Sequence, residues 1–247
     1  MAREILFLKA SGMIVDETGS RAAFAGALRN LAGRYPESLF YIISGGGKKV
    51  DALRKQYNDD PASIAQDWYN SHGVVLDPDL AAHWRAIEIM DSNGKILAND
   101  VKGCQNIVIP PVSRLMQERK CTLPASWDIT ADSIAYWLAA ALAGENDVLT
   151  WIILLKDVDG VITSPGKTAA ILRRTKVTTG KIVDTIIVDH GKPSLLLPSY
   201  PFDTYLFALV KKHNIPFYIV NWKHLDRVDG LLKRQPGVVC TKIMAAP

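Results

Sequence analysis

The run Val148-Leu149-Thr150-Trp151-Ile152-Ile153-Leu154-Leu155 is apolar at all but one position and stops at Lys156. Side chains of a β-strand alternate between its two faces, so an unbroken apolar run of strand length must be buried on both. Strands of that kind belong to parallel sheets covered by helices on each side. Further apolar runs of strand length lie at residues 4–8, 39–43, 107–109, 184–188, 217–220 and 238–243. Helical patterns separate them at about 21–34, 50–57, 62–70, 78–90 and 204–213, and Asn93-Gly94 marks a loop after the fourth. The alternation predicts an α/β chain: a three-layer α-β-α sandwich with a mostly parallel central sheet.

Residues 126–139 place two carboxylates at the start of an otherwise apolar helix. Ile134, Trp137, Leu138 and Ala141 recur at the spacing of a single core-facing stripe. Asp128 or Thr130 can cap the first turn, and Asp132 suits the positive end of the helix dipole. Two readings stay open for this tract alone. It is a capped core helix, or it is an acidic fixture that positions cationic side chains or a metal beside an active site.

A chain of 247 residues suffices for one large α/β domain or for two small lobes sharing a sheet. The net charge of +4 comes from scattered Lys and Arg, with no basic stripe interleaved with aromatics. No nucleic-acid partner is expected, whereas a cationic pocket for a small anion fits the same charge. Cys104, Cys121 and Cys240 lie far apart and form no CxxC pair, so neither a disulfide framework nor a thiol site is indicated. No apolar run approaches the roughly 20 residues that span a bilayer. The run at 4–8 ends at Lys9 and reads as a strand, not a signal peptide. No membrane association and a cytoplasmic location are therefore expected.

In doubly wound sheets, ligands gather outside the carboxyl ends of the strands. Here the first strand is followed by Lys9-Ala10-Ser11-Gly12 and the second by Ser44-Gly45-Gly46-Gly47-Lys48-Lys49; the apolar strand leads into Lys156-Asp157-Val158-Asp159-Gly160. Each has a plainer reading taken singly. The glycines make a flexible turn, Lys48 and Lys49 are solvated lysines at a helix start, and Asp157-x-Asp159-Gly160 is an ordinary turn. Jointly they suit a phosphoryl group and its donor, because glycine lets backbone amides approach an anion while lysine supplies a mobile charge. Two nucleotide motifs fail: Gly160 and Gly166-Lys167-Thr168 are separated by five residues where a P-loop has four, and no GxGxxG occurs. The five histidines lack metal-ligand spacing, so no dedicated zinc site is expected and no metal ligand is assigned, and His83 defaults to a structural role.

These stations together resemble the amino acid kinase family along nearly the whole chain. The likeness rests on Lys9-x-x-Gly12, Gly45-Gly46-Gly47, the Asp-bearing helix start, Lys156-Asp157-Val158-Asp159-Gly160-Val161 and the closing Cys240-Thr241-Lys242-Ile243. His83-Trp84-Arg85-Ala86-Ile87 with Met90, Leu123-Pro124 before Ser126-Trp127-Asp128, and Asp132-Ser133-Ile134-Ala135 look like one branch of it. That branch phosphorylates 5-(aminomethyl)-3-furanmethanol phosphate in methanofuran biosynthesis.

The resemblance implies an ATP- and Mg2+-dependent kinase that turns a phosphomonoester into a diphosphate. It implies one domain over 1–247, with an acceptor-binding lobe at about 1–145 and a nucleotide-binding lobe at about 146–247. By that likeness Lys9 neutralises the transferring phosphoryl group, Gly12 and Ser11 give it backbone amides, and Asp132 orients the catalytic lysines. Gly45, Gly46 and Gly47 match the loop that cradles the acceptor. From the residues themselves, Lys48, Lys49 and Arg54 stand beside that loop as cations for the acceptor's phosphate, Asp51 is a candidate partner for its ammonium, and Asp128 is a cap or an acceptor contact. Lys156, Asp157, Asp159, Gly160 and Lys167 fall to the nucleotide. The sequence departs from the family where a late Met-x-x-Lys supplies a second lysine, since Ser199-Tyr200-Pro201-Phe202-Asp203 stands there. Lys156 and Lys167 are the candidates for that second cation. A homo-oligomer is expected, with the helix at 21–34 as a candidate face. Other acceptors, a nucleoside monophosphate or isopentenyl phosphate, remain alternatives, as does a non-catalytic nucleotide-binding protein of the molybdenum storage kind.

Overall fold

The computed structural model describes residues 4–144, 149–163, 181–190, 192–193 and 200–247. Strand β1 (Ile5–Ala10) is buried along its whole length and turns through α1 (Gly12–Asp16) into α2 (Thr18–Arg34). Then come β2 (Leu39–Ser44), α3 (Gly47–Asp59), α4 (Pro61–His72), α5 (Pro78–Asp100), β3 (Ile107–Val108) and α6 (Val112–Glu118). The second half holds α7 (Ala131–Ala143), β4 (Thr150–Lys156), the small hairpin β5 (Ile162–Thr163) and β6 (Lys181–Ile182), and β7 (Thr185–Asp189) with β8 (Lys192–Pro193). It closes with α8 (Tyr205–His213), β9 (Phe217–Asn221), α9 (Asp226–Leu232) and β10 (Thr241–Ala245).

Helix starts follow local chemistry. Asp60 and Asp77 each accept an amide hydrogen bond in the first turn of α4 and α5, at 3.3 Å and 3.0 Å, directly ahead of Pro61 and Pro78.

One sheet crosses both halves of the chain in the order β3-β2-β1-β4-β9-β10-β7-β8. Its pairs are parallel from β3 to β9; β10 runs antiparallel to β9 and parallel to β7. Alternate residues of the central strands feed two separate cores. Leu6, Leu8, Ile153 and Leu155 pack with Phe24, Leu28 and Leu31 of α2, while Phe7, Ile152 and Leu154 pack with Tyr136 and Leu138 of α7. Each such side chain contributes roughly 1.5–3 kcal/mol by leaving water. The expected three-layer sandwich is therefore the observed one.

From β1 the chain moves outward to β2 and β3, then returns past β1 to β4. The crevice at the carboxyl ends of β1 and β4 is thus a topological switch point. The register sets Lys9 beside Leu154 and Ala10 beside Leu155, so both strands end at one level.

Three expectations change. Helix α5 runs straight through Asn93-Gly94, because both residues are used: the Asn93 amide bonds another loop, and Gly94 lets Ile109 approach. The apolar side of α2 is spent on the sheet, so only its exposed side is left to serve as an oligomer face. Strand β10 starts at Thr241 and not at 238, since Val238 packs against Gly230 of α9.

Candidate active site

Lys9 near the end of β1 and Lys156 at the end of β4 converge on a single carboxylate. Asp132 sits in the first turn of α7, with Oδ1 2.9 Å from Lys9 Nζ and Oδ2 2.6 Å from Lys156 Nζ. All three side chains are nearly buried. Thr130 is the N-cap of α7 and its hydroxyl accepts the Asp132 amide at 3.3 Å, which leaves Asp128 exposed and free of the capping role.

Burial pushes the Asp132 carboxyl up, but Lys156 and Lys9 outweigh it and hold it down at about 2. Burial lowers Lys156 to about 8, even though Asp132 pulls the other way. Two ammoniums on one carboxylate leave a local surplus of positive charge where water is scarce. Such a cluster costs desolvation energy and completes itself with an anion.

The Gly loop is clamped beside it from three sides. The Gly45 amide donates to Ala10 O of β1 at 2.9 Å, and Asn93 Nδ2 of α5 donates to Gly45 O and Gly46 O at 2.8 Å and 3.1 Å. Asp16 of α1 accepts the Lys48 amide at 2.9 Å and so caps α3. Gly12 presses on this loop so closely that a Cβ there would lie 2.0 Å from the Gly47 nitrogen, and Gly47 itself has φ +62°. Gly12→Ala must therefore push the two loops apart. We expect a loss of about 1–3 kcal/mol and a Tm lower by roughly 2–12 °C, with reduced turnover. Wild-type melting in that variant would show that the contact is slack.

Lys9, Asp132, Lys156, Gly12 and the Gly45–Gly47 loop line one cleft of about 470 Å³. Away from the lysines its wall is aromatic and acidic. The Arg54 guanidinium lies 5.1 Å from the Trp127 ring centroid and 3.7 Å from Asp51 Oδ1. Tyr57 meets Trp127 edge-on at 5.4 Å and donates its hydroxyl to Asp79. The Trp127 indole N–H is buried with no hydrogen-bond partner among the described residues. His83 also lines the cleft, and burial lowers its pKa, which favours the neutral ring.

Of the residues singled out in the sequence, Lys9, Ser11, Gly12, Gly45, Gly46, Gly47, Asp51, Arg54, Asp128, Asp132 and Lys156 all line this cleft. Lys48 is exposed outside it, as is Asp157. Asp159 accepts from Arg227 at 2.5 Å and from Asn221 at 3.1 Å, which ties the β4 loop to α9 and β9. Partial burial opposes ionisation of Asp159, yet those two donors hold its carboxyl below the usual range. Gly160, at φ +151°, packs on Thr241, where a Cβ would come within 2.5 Å of Oγ1. Lys167 lies outside the described residues.

Lys156, given by the sequence both to the nucleotide segment and as a candidate second cation, joins Lys9 on Asp132. Sequence reasoning missed Asn93, Asp16, Asp203 and His83. Only His83 left a signal: Asp79, His83, Ala86 and Met90 follow the spacing of one helix stripe, and all four line the cleft.

No protein-family model matches the sequence, and no curated protein is similar enough to match it. Solved structures do align. A UMP kinase from Ureaplasma parvum superposes on 99% of this chain and 99% of its own, with TM-score 0.55 and 16% identity. A uridylate kinase from Archaeoglobus fulgidus covers 99% of this chain and 100% of its own, with TM-score 0.54 and 13% identity. The fold is the one found in these solved kinases. An aspartate kinase from Synechocystis matches 99% of this chain over 40% of its own, with TM-score 0.55 and 15% identity. At such identities the likeness is one of architecture. Among the described residues no helix is long and apolar enough to cross a membrane.

Proposed function

We propose that this protein is an ATP-dependent phosphotransferase that converts a phosphomonoester to a diphosphate, with 5-(aminomethyl)-3-furanmethanol phosphate of methanofuran biosynthesis as acceptor. The observation that carries the reading is Asp132 bridging Lys9 and Lys156 in the cleft that also holds the Gly45–Gly47 loop.

Phosphoryl transfer needs positioning and charge neutralisation far more than covalent catalysis. Lys9 and Lys156 neutralise the moving group, and Asp132 holds both ammoniums in place before it arrives. The clamped glycine loop, whose Gly45 amide is already bonded to Ala10, turns its remaining amides to the acceptor phosphate, which is a nucleophile already and needs no strong general base. Mg-ATP, when bound, supplies the phosphoryl group and shields the charge of its own phosphates. Both Asp132 oxygens face lysines, so this carboxylate is not free to ligate the metal. Among the described residues no cluster of three acidic, His or Cys side chains is placed to do so. In this proposal the magnesium ion arrives with the nucleotide.

The opposite part of the cleft favours an acceptor with an ammonium group. Asp51, Asp79 and Asp128 line it against a single guanidinium, Arg54. Neither uridylate nor isopentenyl phosphate offers a cation there. The unsatisfied Trp127 N–H, worth about 1–3 kcal/mol if left buried, would donate to an oxygen of the acceptor.

Asp51→Asn should raise the acceptor KM by roughly three- to fivefold with kcat little changed, because exposed ion pairs are worth about 1 kcal/mol at most. An unchanged KM would remove Asp51 from acceptor recognition.

The direct test is ADP release from Mg-ATP with a panel of phosphomonoesters. Turnover confined to the aminomethylfuran phosphate supports the proposal. Turnover confined to UMP or isopentenyl phosphate replaces the acceptor, and ATP binding without turnover points to a storage or regulatory role. Two functional lobes meeting at about residue 145, a homo-oligomer and a cytoplasmic location complete the proposal.

A further inference from the structure

The geometry points to Asp203 as the positioning residue of the transfer reaction, fixing the aim of Asp132 from the far half of the chain; this rests on the phosphotransferase reading. Its carboxylate is buried at the N-terminus of α7 and takes four hydrogen bonds from the two residues that bracket the site. Oδ2 accepts the Thr130 amide at 3.1 Å, the Thr130 hydroxyl at 2.7 Å and the Ser133 amide at 3.1 Å, while Oδ1 accepts the Ser133 hydroxyl. The Thr130 hydroxyl in turn accepts the Asp132 amide. A relay thus runs from Asp203 through Thr130 to Asp132, and on to both lysines.

An aromatic cluster anchors the residue before Asp203. Phe202 meets Tyr200 at a tilt and Phe207 and Phe217 edge-to-face, at centroid distances of 5.2 Å, 5.5 Å and 5.3 Å. An Asp in this place also adds negative charge near Lys156. The charged groups acting on that ammonium are Asp132 from α7, Lys9 from β1 and Asp203 from the segment ahead of α8.

Asp203→Asn keeps the shape and removes the charge. We expect kcat to fall on the order of 100-fold, as for a misplacement of about 1 Å, with both KM values within about threefold. The alkaline limb of kcat should move to lower pH, and so should the Lys156 ammonium titration followed by NMR at its ε-carbon. A helix cap with no positioning role would lower Tm alone; kcat and the limb unmoved would overturn the inference. Should Asp203→Asn fail to fold, Thr130→Val breaks the relay and leaves the Ser133 bonds; unchanged kcat there overturns it equally. Wild-type protein inactive on every phosphomonoester sinks the kinase reading instead. The NMR titration then decides alone, and a Lys156 midpoint identical in wild type and Asp203→Asn refutes the positioning role.

Discussion

Lys156→Ala is expected to lower phosphoryl transfer by about a thousandfold, roughly 4 kcal/mol of transition-state stabilisation, with the ATP and acceptor KM values changed far less. The loss should match that of Lys9→Ala, since the two ammoniums stand on the two oxygens of one carboxylate. The double variant should then cost less than the sum, because either single change already breaks the clamp. Burial lowers the Lys156 pKa to about 8, and the side chain must be protonated to act. Wild-type kcat should accordingly decline above about pH 8. Asp132, held at about 2, contributes no acid limb in any working range. Lys156→Arg, whose guanidinium keeps its proton, should abolish that decline whatever its activity. A wild-type profile that stays flat to pH 10 would exclude Lys156 from the chemistry.

Asp132→Ala should be the most damaging change to the fold. It removes the one carboxylate that, among the described residues, contacts both nearly buried ammoniums, and a buried charge stripped of its partner costs about 3–5 kcal/mol. The expected Tm drop is roughly 6–20 °C, and turnover should fall at least as far as for either lysine. The penalty depends on pH in a defined sense. With its pKa below the unfolded value of 10.5, Lys156 binds fewer protons folded than unfolded between about 8 and 10.5, so stability rises with pH across that window. In Asp132→Ala the folded lysines lose their counter-ion, and the window widens toward lower pH. Thermal melts should therefore show the gap between variant and wild type narrowing from pH 7 to pH 10. A constant gap would mean that packing, and not charge, accounts for the loss.

Local pattern made much of the architecture legible. The apolar run that became β4 announced a strand covered on both faces, and its even and odd residues do enter two cores. The helices expected from about 62 and 78 begin within a residue of those positions, because their capping by Asp60 and Asp77 is a matter of neighbouring residues. Where the reading slipped, a distant partner had overruled local preference. Asn93-Gly94 reads as a turn by itself, yet the amide serves the Gly loop 48 residues earlier. Val238 has strand character but is consumed by Gly230.

The site divides along the same line. Composition, periodicity and motif spacing determined by themselves that this chain builds a doubly wound sheet with lysines and glycines at its strand ends. Those properties depend on residues a few positions apart, so one dimension is enough to hold them. Tertiary structure alone decided which of these groups meet. It set Lys156, a candidate second cation, on Asp132, left Lys48 and Asp157 in solvent, and brought Asp203 to the first turn of α7. Electrostatics and hydrogen bonding act over a few ångströms of space, and no spacing along the chain records that residues 9, 132, 156 and 203 come that close.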